Sequence, residues 1–344
     1  MRNHKLVVLL IACLVAAGSI FAGGGNRNGT AGATQLLIPV GARGIAMGGA
    51  VLTNSYGVDG LFWNPANLSR TDRTTGVMFS HMNHIADIGV EYGALGVNIN
   101  GFGALGLSIK ALDVGQIPVT TTQAPDGTGA FFTPQFVTVG LTFSKMLSDR
   151  VSVGVTGNFL TERMGEVSAS GIAFDAGVTY NNLLNVEGLN MAVVMKNIGP
   201  QMQYDGSGLL TNANASSLER PDQFYKITAA GYELPSSLQI GLGYALNFNE
   251  QNSFTASSTF QNHNFWGDEY RLGGEYAFND LFFIRGGYVL TPELEDDQNI
   301  YGFSAGAGLK YDLGGMLVKF DYAFRQVEFD ALGNNHIFSI DLGL

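Results

Sequence analysis

Cysteine is almost absent from the sequence, since Cys13 is the only one among 344 residues. It lies in an N-terminal stretch that we expect to be removed, so the mature chain would contain no thiol. A disulfide framework, a cysteine nucleophile and a cysteine-ligated metal site are therefore excluded for the mature chain.

Positive charge is also scarce. The chain has 18 Lys and Arg against 29 Asp and Glu. Arg2 and Lys5 fall within the first 22 residues, which contain no acid, so the mature chain has 16 basic and 29 acidic residues and a net charge of −13. Nucleic acid is not expected as a partner, because phosphate binding needs a basic face. An acidic surface outside the cytoplasm fits this charge.

Long hydrophobic runs are missing after residue 22, where no stretch approaches the roughly 20 apolar residues of a spanning helix. At the N-terminus, Arg2 and Lys5 precede an apolar run, and small residues follow from Ala22. This layout predicts a secretory signal peptide over residues 1–22. A membrane anchor is the alternative, but the run is short for one. A lipoprotein cleavage box ending at Cys13 would leave an apolar stretch on the mature chain.

What the sequence does contain is glycine and aromatic residues at low charge density. Gly accounts for 47 residues, aromatics for 11% and charged residues for 14%, whereas soluble domains usually have about 25% charged residues. In a membrane β-barrel only every second residue faces lipid, so the hydropathy of each strand stays modest. The composition therefore favours a transmembrane β-barrel in contact with outer-membrane lipid.

Alternation with a period of two supports the barrel. In the stretch 301–312, one face holds Tyr301, Phe303, Ala305, Ala307, Leu309 and Tyr311. The other face is glycine, serine or charged. Stretches 238–248 and 316–325 repeat the pattern. These runs reach ten or more residues, the length that a tilted membrane strand needs, while strands of soluble proteins average about 5–6.

The whole chain reads as fourteen antiparallel strands, an even number that suits a single-chain bacterial barrel with both termini in the periplasm. We predict them near 74–84, 87–100, 101–112, 134–147, 150–164, 169–181, 188–198, 235–248, 252–264, 268–279, 281–291, 299–312, 314–327 and 334–344. The two longest connections, 113–133 and 199–234, follow odd-numbered strands, as does the acidic stretch 293–298, interpreted as a solvated outer loop. The short turns at 148–149, 249–251, 279–280 and 314–315 all follow even-numbered strands. Outer-membrane barrels have this asymmetry of long outer loops and short periplasmic turns.

Residues 23–73 precede the strands and do not alternate. The segment is too long for a linker and too apolar to stay in solvent, while a fourteen-stranded barrel is wide enough to need filling. We therefore predict a periplasmic entry and plug at 23–73, and the barrel at 74–344.

The plug segment carries a resemblance. The stretch "GARGIAMGGAVLTNSYGVDGLFWNPANLSR", 41–70, resembles the N-terminal signature of the PorV/PorQ proteins, which belong to the wider group of FadL-like outer-membrane barrels. Later stretches at 193–204, 233–246, 270–288 and 336–344 are similar to that family's downstream blocks in the same order. The residues that carry the signature are Arg43, Met47, Gly48, Gly49, Ala50, Asp59, Trp63, Asn64, Pro65 and Ala66.

The resemblance implies a fourteen-stranded barrel with an N-terminal plug and, for PorV/PorQ proteins, a role in type IX secretion. That role is to handle the C-terminal domains of secreted proteins or to join the complex that anchors them at the surface. For the FadL branch it implies uptake of a hydrophobic small molecule through the barrel wall. The two functions differ in what they need. A conduit needs an apolar pocket and a path past the plug, whereas an accessory needs a sealed barrel and an exposed apolar rim of loops.

Ordinary turn chemistry explains much of the signature, so we interpret these residues as structural. A residue before proline is driven to extended geometry, which suits Asn64 before Pro65, and Asn closes turns through side-chain to backbone bonds. Gly48 and Gly49 permit close approach to the wall. A hinge or gate is the alternative interpretation.

Inward-facing charges of both signs are expected to form a network between wall and plug, with Arg43 paired to Asp321 or Glu275. An ion path is the alternative. The predicted wall charges are Arg271, Glu275, Arg285, Lys310, Asp312, Lys319, Asp321 and Arg325.

Two aromatic residues, Phe131 and Phe132, lie in the long connection after the third strand. They are candidates for contact with a partner, and anchoring at the membrane interface is an equally open interpretation. No catalytic triad, metal-ligand cluster or phosphate-binding loop is found. The sequence therefore predicts no enzyme activity, no cofactor and no metal.

Overall fold

The computed structural model describes residues 30–214, 221–265, 267–292 and 300–344. The predicted signal peptide and the acidic stretch 293–298 lie outside these ranges. The described chain is almost entirely β-structure with a few short helices, and no helix within these ranges is long and apolar enough to cross a bilayer.

Fourteen long strands form the wall. They are β1 (Thr75–Asn83), β2 (Gly89–Ile99), β3 (Gly103–Asp113), β4 (Gln135–Met146), β5 (Val151–Met164), β6 (Val167–Tyr180), β7 (Leu189–Ile198), β8 (Ser237–Asn249), β9 (Asn252–His263), β10 (Glu269–Phe278), β11 (Phe282–Leu290), β12 (Tyr301–Leu313), β13 (Met316–Val327) and β14 (Asn335–Gly343). Each predicted strand matches one of these to within two residues at either end.

The sheet closes on itself. Every strand pairs antiparallel with its neighbour in sequence, and β14 returns to β1 in a register that runs from Gly76 opposite Gly343 to Asn83 opposite His336. Closure removes the free edges that would otherwise expose unpaired backbone groups in the membrane. The predicted fold class, a fourteen-stranded antiparallel barrel, is confirmed.

Side chains alternate across the wall as the period-two pattern predicts. Along β3, Leu105, Leu107 and Ile109 point outward and are exposed, whereas Ala104 and Lys110 point inward and are buried. Apolar side chains exposed on the outside of a closed barrel require hydrocarbon around them. The outer surface is therefore the lipid-facing surface.

Tyr301 departs from this alternation. The sequence places it on the outward face with Phe303, and that prediction is wrong. A register shift in the β12–β13 ladder between Tyr301 and Ser304 turns the ring inward. There it lies under the guanidinium of Arg325, with 3.8 Å between Cζ and the ring centroid. A β-bulge inserts one extra residue into a strand, so the side chains before the bulge point to the opposite face of the sheet. Sequence alternation alone does not reveal such a bulge.

The connections sort by length between the two ends of the barrel. The β3–β4 and β7–β8 connections, 114–134 and 199–236, lie at one end, which we call the long-loop mouth. The β8–β9 and β12–β13 turns, 250–251 and 314–315, lie at the other end, the short-turn mouth. The β5–β6 turn at the long-loop mouth is also short. The two mouths therefore differ in the presence of long loops, and short turns occur at both.

Residues 30–73 fill much of the lumen and are called the plug below. They contain α1 (Ala42–Ala46), α2 (Gly60–Trp63) and three single-turn 3₁₀ helices at Thr34–Leu37, Gly57–Asp59 and Pro65–Asn67. Plug and wall pack together in three apolar clusters, and in the largest of them Ile45, Val51 and Met82 are almost fully buried.

The plug runs along the lumen from one mouth to the other. At the long-loop mouth, Ala31 forms a parallel bridge to Glu233 in the β7–β8 connection. At the short-turn mouth, the Thr74 N–H donates to the Leu344 carbonyl at 2.8 Å. Both termini were expected at the periplasmic mouth. The described start of the plug lies at the mouth opposite Leu344, because the segment traverses the barrel before it enters β1.

Candidate functional site

Inward-facing glycines bring the plug into direct contact with the wall. A Cβ built at Gly154 would lie 2.3 Å from the Pro65 carbonyl carbon, and one at Gly287 would lie 2.1 Å from the Gly48 nitrogen. These distances are far below van der Waals contact, so a side chain cannot fit. A plug atom also lies within 3.1 Å of a Cβ built at Gly76, Gly96, Gly106, Gly177, Gly241, Gly243, Gly273 or Gly306.

A chain of alternating charges joins plug to wall. The Arg43 Nε and Nη2 donate to the two carboxylate oxygens of Glu275 at 3.0 Å each, and Nη1 donates to Asp59 at 3.1 Å. Arg285 donates from Nε to Glu275 at 2.6 Å and from Nη1 to Asp321. The expected pairing of Arg43 is therefore found directly with Glu275 and indirectly with Asp321. Burial opposes the charged form of Arg43, but Glu275 and Asp59 outweigh it and raise its pKa, so the guanidinium stays charged.

The remaining predicted wall charges divide between the two mouths. Arg271 pairs with Glu269 at 2.6 Å near the long-loop mouth. Asp312 pairs at the other mouth with Arg73 at 3.0 Å, where both side chains are largely accessible to solvent. Lys310 pairs with the exposed Asp280 and so does not join the buried network, and Lys319 forms no ion pair with a described acid.

The Asn64–Pro65 turn is a fully buried hydrogen-bond hub. The Asn64 amide donates to the Leu52 carbonyl and to the Thr179 hydroxyl, both at 2.8 Å, while its oxygen accepts from the Ala66 N–H at 3.1 Å. Asn64 has an extended backbone, as a residue before proline must, and caps the 3₁₀ turn that Pro65 begins. The turn therefore ties two parts of the plug to β6.

The glycine pair after α1 ends that helix against the wall. Met47 is fully buried, and Gly48 and Gly49 adopt φ of +64° and +80°, a region that favours glycine. Trp63 covers the inside of α1, and a Cβ at Gly44 would lie 2.3 Å from its indole nitrogen. Gly44 was not singled out in the sequence, because nothing local marks a glycine that makes room for a distant tryptophan.

Two buried lysines were also missed. Lys196 on β7 donates to the Phe62 carbonyl at 2.7 Å and lies 3.8 Å from the centre of its ring. Lys110 on β3 donates to the Ile38 carbonyl at 3.0 Å and lies 4.9 Å from the same ring. Both occupy inward positions by alternation, which was the signal available in the sequence. The two ammonium groups, one from β3 and one from β7, thus clamp Phe62.

A cavity of about 410 Å³ lies between the plug and the long-loop mouth. Plug residues such as Leu36, Ile45 and Phe62 supply apolar walls. Polar wall groups include Lys196 and Arg325.

The β7–β8 connection has an inner and an outer part. In the inner part, Met202 is buried, and the hydroxyls of Tyr204 and Tyr232 donate to the buried carboxylate of Glu162. Burial and this carboxylate raise the pKa of both tyrosines, so the phenols stay protonated donors. The outer part is a short hairpin of Leu210–Ala213 and Gln223–Lys226.

Apolar side chains are exposed on the outer parts of both long loops. Phe131 and Phe132 form a small hairpin with Ile117–Pro118; Phe131 is 59% exposed, whereas Phe132 is partly covered. Phe224, on the other hairpin, is 77% exposed. We call the exposed set the apolar rim: Ile117, Phe131, Leu210, Phe224 and Ile227.

Residues 22–263 match the protein family described as "Type IX secretion system protein PorV". This stretch covers the plug and more than half of the chain. The chain belongs to the PorV family. No curated protein sequence matches it.

Solved structures similar to this PorV-family chain share its fold at low sequence identity. The CymD monoaromatic hydrocarbon channel has a TM-score of 0.55 at 15% identity, covering 89% of this chain and 97% of the other. A FadL homologue of Pseudomonas aeruginosa has a TM-score of 0.51 at 14% identity, covering 89% and 98%. The toluene transporter TodX of Pseudomonas putida has a TM-score of 0.50 at 12% identity, covering 87% and 95%. The resemblance to FadL-like barrels is thus confirmed for the fold.

Family and fold together place the chain in the outer membrane of a Gram-negative cell, as a barrel associated with type IX secretion. Both groups of similar proteins are concerned with transport or secretion. The absence of enzyme activity and of a cofactor stays a prediction.

Proposed function

We propose that this PorV-family barrel is a non-enzymatic accessory of type IX secretion that binds secreted proteins or secretion-complex subunits at its apolar rim. In this proposal the plug keeps the lumen closed, and the long-loop mouth faces the outside of the cell. The observation that carries the proposal is the contact of the plug with the whole circumference of the wall.

That contact is continuous around the barrel. Plug residues 58–69 touch the first seven strands, from Val58 against β1 to Phe62 against Lys196 of β7. Plug residues 42–54 touch the other seven strands, from Leu52 against β8 to Ala42 hydrogen-bonded to Ser339 of β14. A plug held on all sides by backbone contact, buried ion pairs and the Asn64 hub leaves little freedom for a path beside it.

The wall also supports a closed barrel. Release of a molecule sideways into the bilayer needs a gap between strands. Each strand of the described barrel pairs with both of its neighbours, but β6 pairs with β7 only along Phe174–Tyr180, and the outer end of β6 pairs instead with Asp205 and Gly206 of the β7–β8 connection. The irregularities of the strand pairing are three local register shifts, at Phe174/Ala176, Asn247/Asn249 and Tyr301/Ser304. Each is bridged by ladder pairs on one or both sides, so none is an opening.

The surface proposed to bind a partner protein is therefore the apolar rim. Large apolar side chains exposed on loops outside the membrane are typical of sites that bind a protein partner. Anchoring of Phe131 and Phe132 at the membrane interface remains the alternative use of these two residues.

The test is affinity capture of the tagged barrel from gently solubilised native outer membrane, with bound proteins and lipids both identified. Phe131→Ser and Phe224→Ser should lose secreted proteins or secretion subunits that the wild type retains. Phe248→Ser is the matched control, since Phe248 is 64% exposed but lies near the short-turn mouth. Equal capture by all variants would contradict a role of the rim.

The second candidate is a conduit for a hydrophobic small molecule, favoured by the 410 Å³ cavity with apolar plug residues in its walls. It predicts that the purified barrel holds a stoichiometric hydrophobe and that no secretion protein is captured with it.

A further inference from the structure

We propose that a groove on the lipid-facing surface of the wall binds one acyl chain of a phospholipid. The groove has a volume of about 440 Å³ and lies on the outside of strands β7–β12, away from the plug and from the cavity inside the barrel. The proposal goes beyond the role of the rim and does not depend on it.

A row of small residues forms the floor of the groove. The strand register places Ala256 of β9, Gly274 of β10 and Gly286 of β11 side by side. Their neighbours along the chain face the other way, since a Cβ at Gly273 or Gly287 would meet the plug. The floor residues therefore face the membrane.

Large side chains stand on both sides of this floor. Each lies two residues along its strand from the floor row, which is about 7 Å. The floor is thus a trough that is one residue wide between two ridges. The ridges consist of Leu272, Tyr288 and Phe303, which line the groove, and of Phe254, Tyr276 and Ile284 across the floor.

The end of the groove at the short-turn mouth is roofed. Leu189 of β7 and Leu242 of β8 face outward but are only 3% and 7% exposed, whereas the outward-facing Leu105 is 45% exposed. Leu183 of the β6–β7 turn lines the groove together with them, and the 3₁₀ turn Leu183–Asn185 contacts β7. A second barrel would meet this turn before its wall reached the floor, whereas a single chain is narrow enough to lie beside the turn.

The fold does not require the two glycines of the floor. A Cβ built at Gly286 would have 3.9 Å to its nearest neighbour, and one at Gly274 would have 3.4 Å, both ordinary contacts. Neither residue has a positive φ. The inward-facing glycines make room for the plug, but these two make room for nothing in the described chain. An apolar groove of this size loses packing contacts unless another molecule fills it.

The occupant must be hydrocarbon, because the groove is continuous with the lipid-facing surface of the barrel. No charged residue is among the described residues that line it. From β8 to β12 the floor row crosses four strand spacings, or about 19 Å. Strands tilted by about 35–45° make such a row rise by about 11–13 Å, which is close to half of the roughly 30 Å hydrocarbon core. The groove therefore has the length of one acyl chain in one leaflet.

The β4–β5 and β6–β7 turns at the roofed end contain one cation, Arg150. Its side chain is exposed and donates to the side chain of Asn185, two residues beyond Leu183. No described acid lies within ion-pair distance of it. Arginine binds phosphate through paired donors, so a lipid with its chain in the groove would have its phosphate toward Arg150. One cation matches the one phosphate of a phospholipid, whereas the several phosphates of a lipopolysaccharide need a cluster of cations.

The test is native mass spectrometry of the full-length barrel, extracted from its own outer membrane in a nonionic detergent. One phospholipid should remain bound to the wild type. Gly286→Leu places a side chain on the floor and should reduce the retained lipid at least about fivefold, since overpacking costs at least about 1 kcal/mol. Gly93→Leu is the matched control, because Gly93 faces the membrane on β2, beside the exposed Phe79 and Ile109.

Three results would overturn the proposal. One is equal retention of lipid by Gly286→Leu and Gly93→Leu. Another is a wild-type barrel that retains no phospholipid. The third is a different occupant, either a lipopolysaccharide or a protein that is bound by the wild type and lost in Gly286→Leu.

A phosphatidylglycerol with a photoreactive diazirine on its acyl chain then locates the site. After reconstitution and illumination, cross-links should concentrate at groove residues such as Tyr244 and Leu272, and Arg150→Met should lower their yield. An even spread of cross-links around the wall would contradict a specific site, and an unchanged yield in Arg150→Met would contradict the contact with phosphate. No secretion assay enters, so failure here leaves the proposal about the rim standing.

Discussion

Replacement of Glu275 by glutamine perturbs the centre of the buried charge chain. Glu275 accepts three charged hydrogen bonds, two from Arg43 and one from Arg285, at 2.6–3.0 Å. Glutamine keeps one acceptor oxygen and removes the negative charge. Asp59 and Asp321 are then the only described acids paired with the two arginines. Breaking a buried pair by removal of one partner costs about 3–5 kcal/mol, and we expect a loss of this size in the free energy of plug docking.

Hydrogen exchange of plug amides in the folded barrel measures that loss directly, because exchange reports local opening without global unfolding. Residues 42–59 should exchange faster by a factor that corresponds to the expected free energy, while strands away from the network keep their protection. Glu91→Gln is the matched control, since Glu91 pairs with His81 on the exposed outer surface and exposed pairs contribute about 0–1 kcal/mol. A change below about 1 kcal/mol for Glu275→Gln, no larger than for Glu91→Gln, would refute the reasoning.

Three further predictions concern the plug and its surroundings. Gly154→Ala should loosen the plug by about 1–3 kcal/mol, because the new Cβ would meet the Pro65 backbone, whereas Gly157→Ala has 3.7 Å of clearance and should be neutral in the same exchange experiment. Asn64→Ala should cost at least about 2 kcal/mol of plug docking, because its buried partners lose their hydrogen bonds. Burial, together with two nearby cations, lowers the pKa of His84 to about 4. The folded protein therefore protonates His84 less readily than the unfolded chain does. The free energy of unfolding should fall as the pH drops from about 6.5 to about 4.

Each of these has an outcome that would count against it. Equal protection of the plug amides in Gly154→Ala and Gly157→Ala would show that the wall shifts to make room for a Cβ at position 154. Unchanged hydrogen exchange of the plug amides in Asn64→Ala would show that the Asn64 hydrogen bonds do not hold the plug in place. For the histidine, denaturation midpoints at pH 4 and pH 7 should differ less in His84→Asn than in the wild type. An identical pH dependence of stability in both proteins would show that groups other than His84 cause it.

The wall of this barrel was largely predictable from the sequence, because each residue in a closed membrane sheet has one of two environments. Leu105, Leu107 and Ile109 alternate with small or polar residues, and that pattern alone locates β3 and its facing. Where local geometry breaks the period, as at Tyr301, the prediction fails, since a bulge leaves no trace in the alternation.

The plug was predicted less completely. Its position inside the barrel follows from the lack of alternation, and Arg43 can be matched with Glu275 because a buried cation needs an acid. Gly44 and the lysine clamp on Phe62 depend on which parts of a non-periodic segment meet which strands. Those contacts are set by tertiary packing and not by local preference, so only the structure shows them.

The central claim is that the barrel works through its rim with the plug fixed in place. The hydroxyls of Ser69 on the plug and Ser144 on β4 lie 2.9 Å apart, so the Ser69→Cys/Ser144→Cys pair should form a disulfide in the oxidising environment of the outer membrane. The measurement is the secretion of type IX cargo by cells in which this locked variant replaces the native chain, with Ser69→Cys alone as the control. We predict normal secretion with the plug locked and a loss of secretion in Phe131→Ser/Phe224→Ser. Secretion that stops when the disulfide forms and returns on its reduction would contradict the account, because the plug would then have to move.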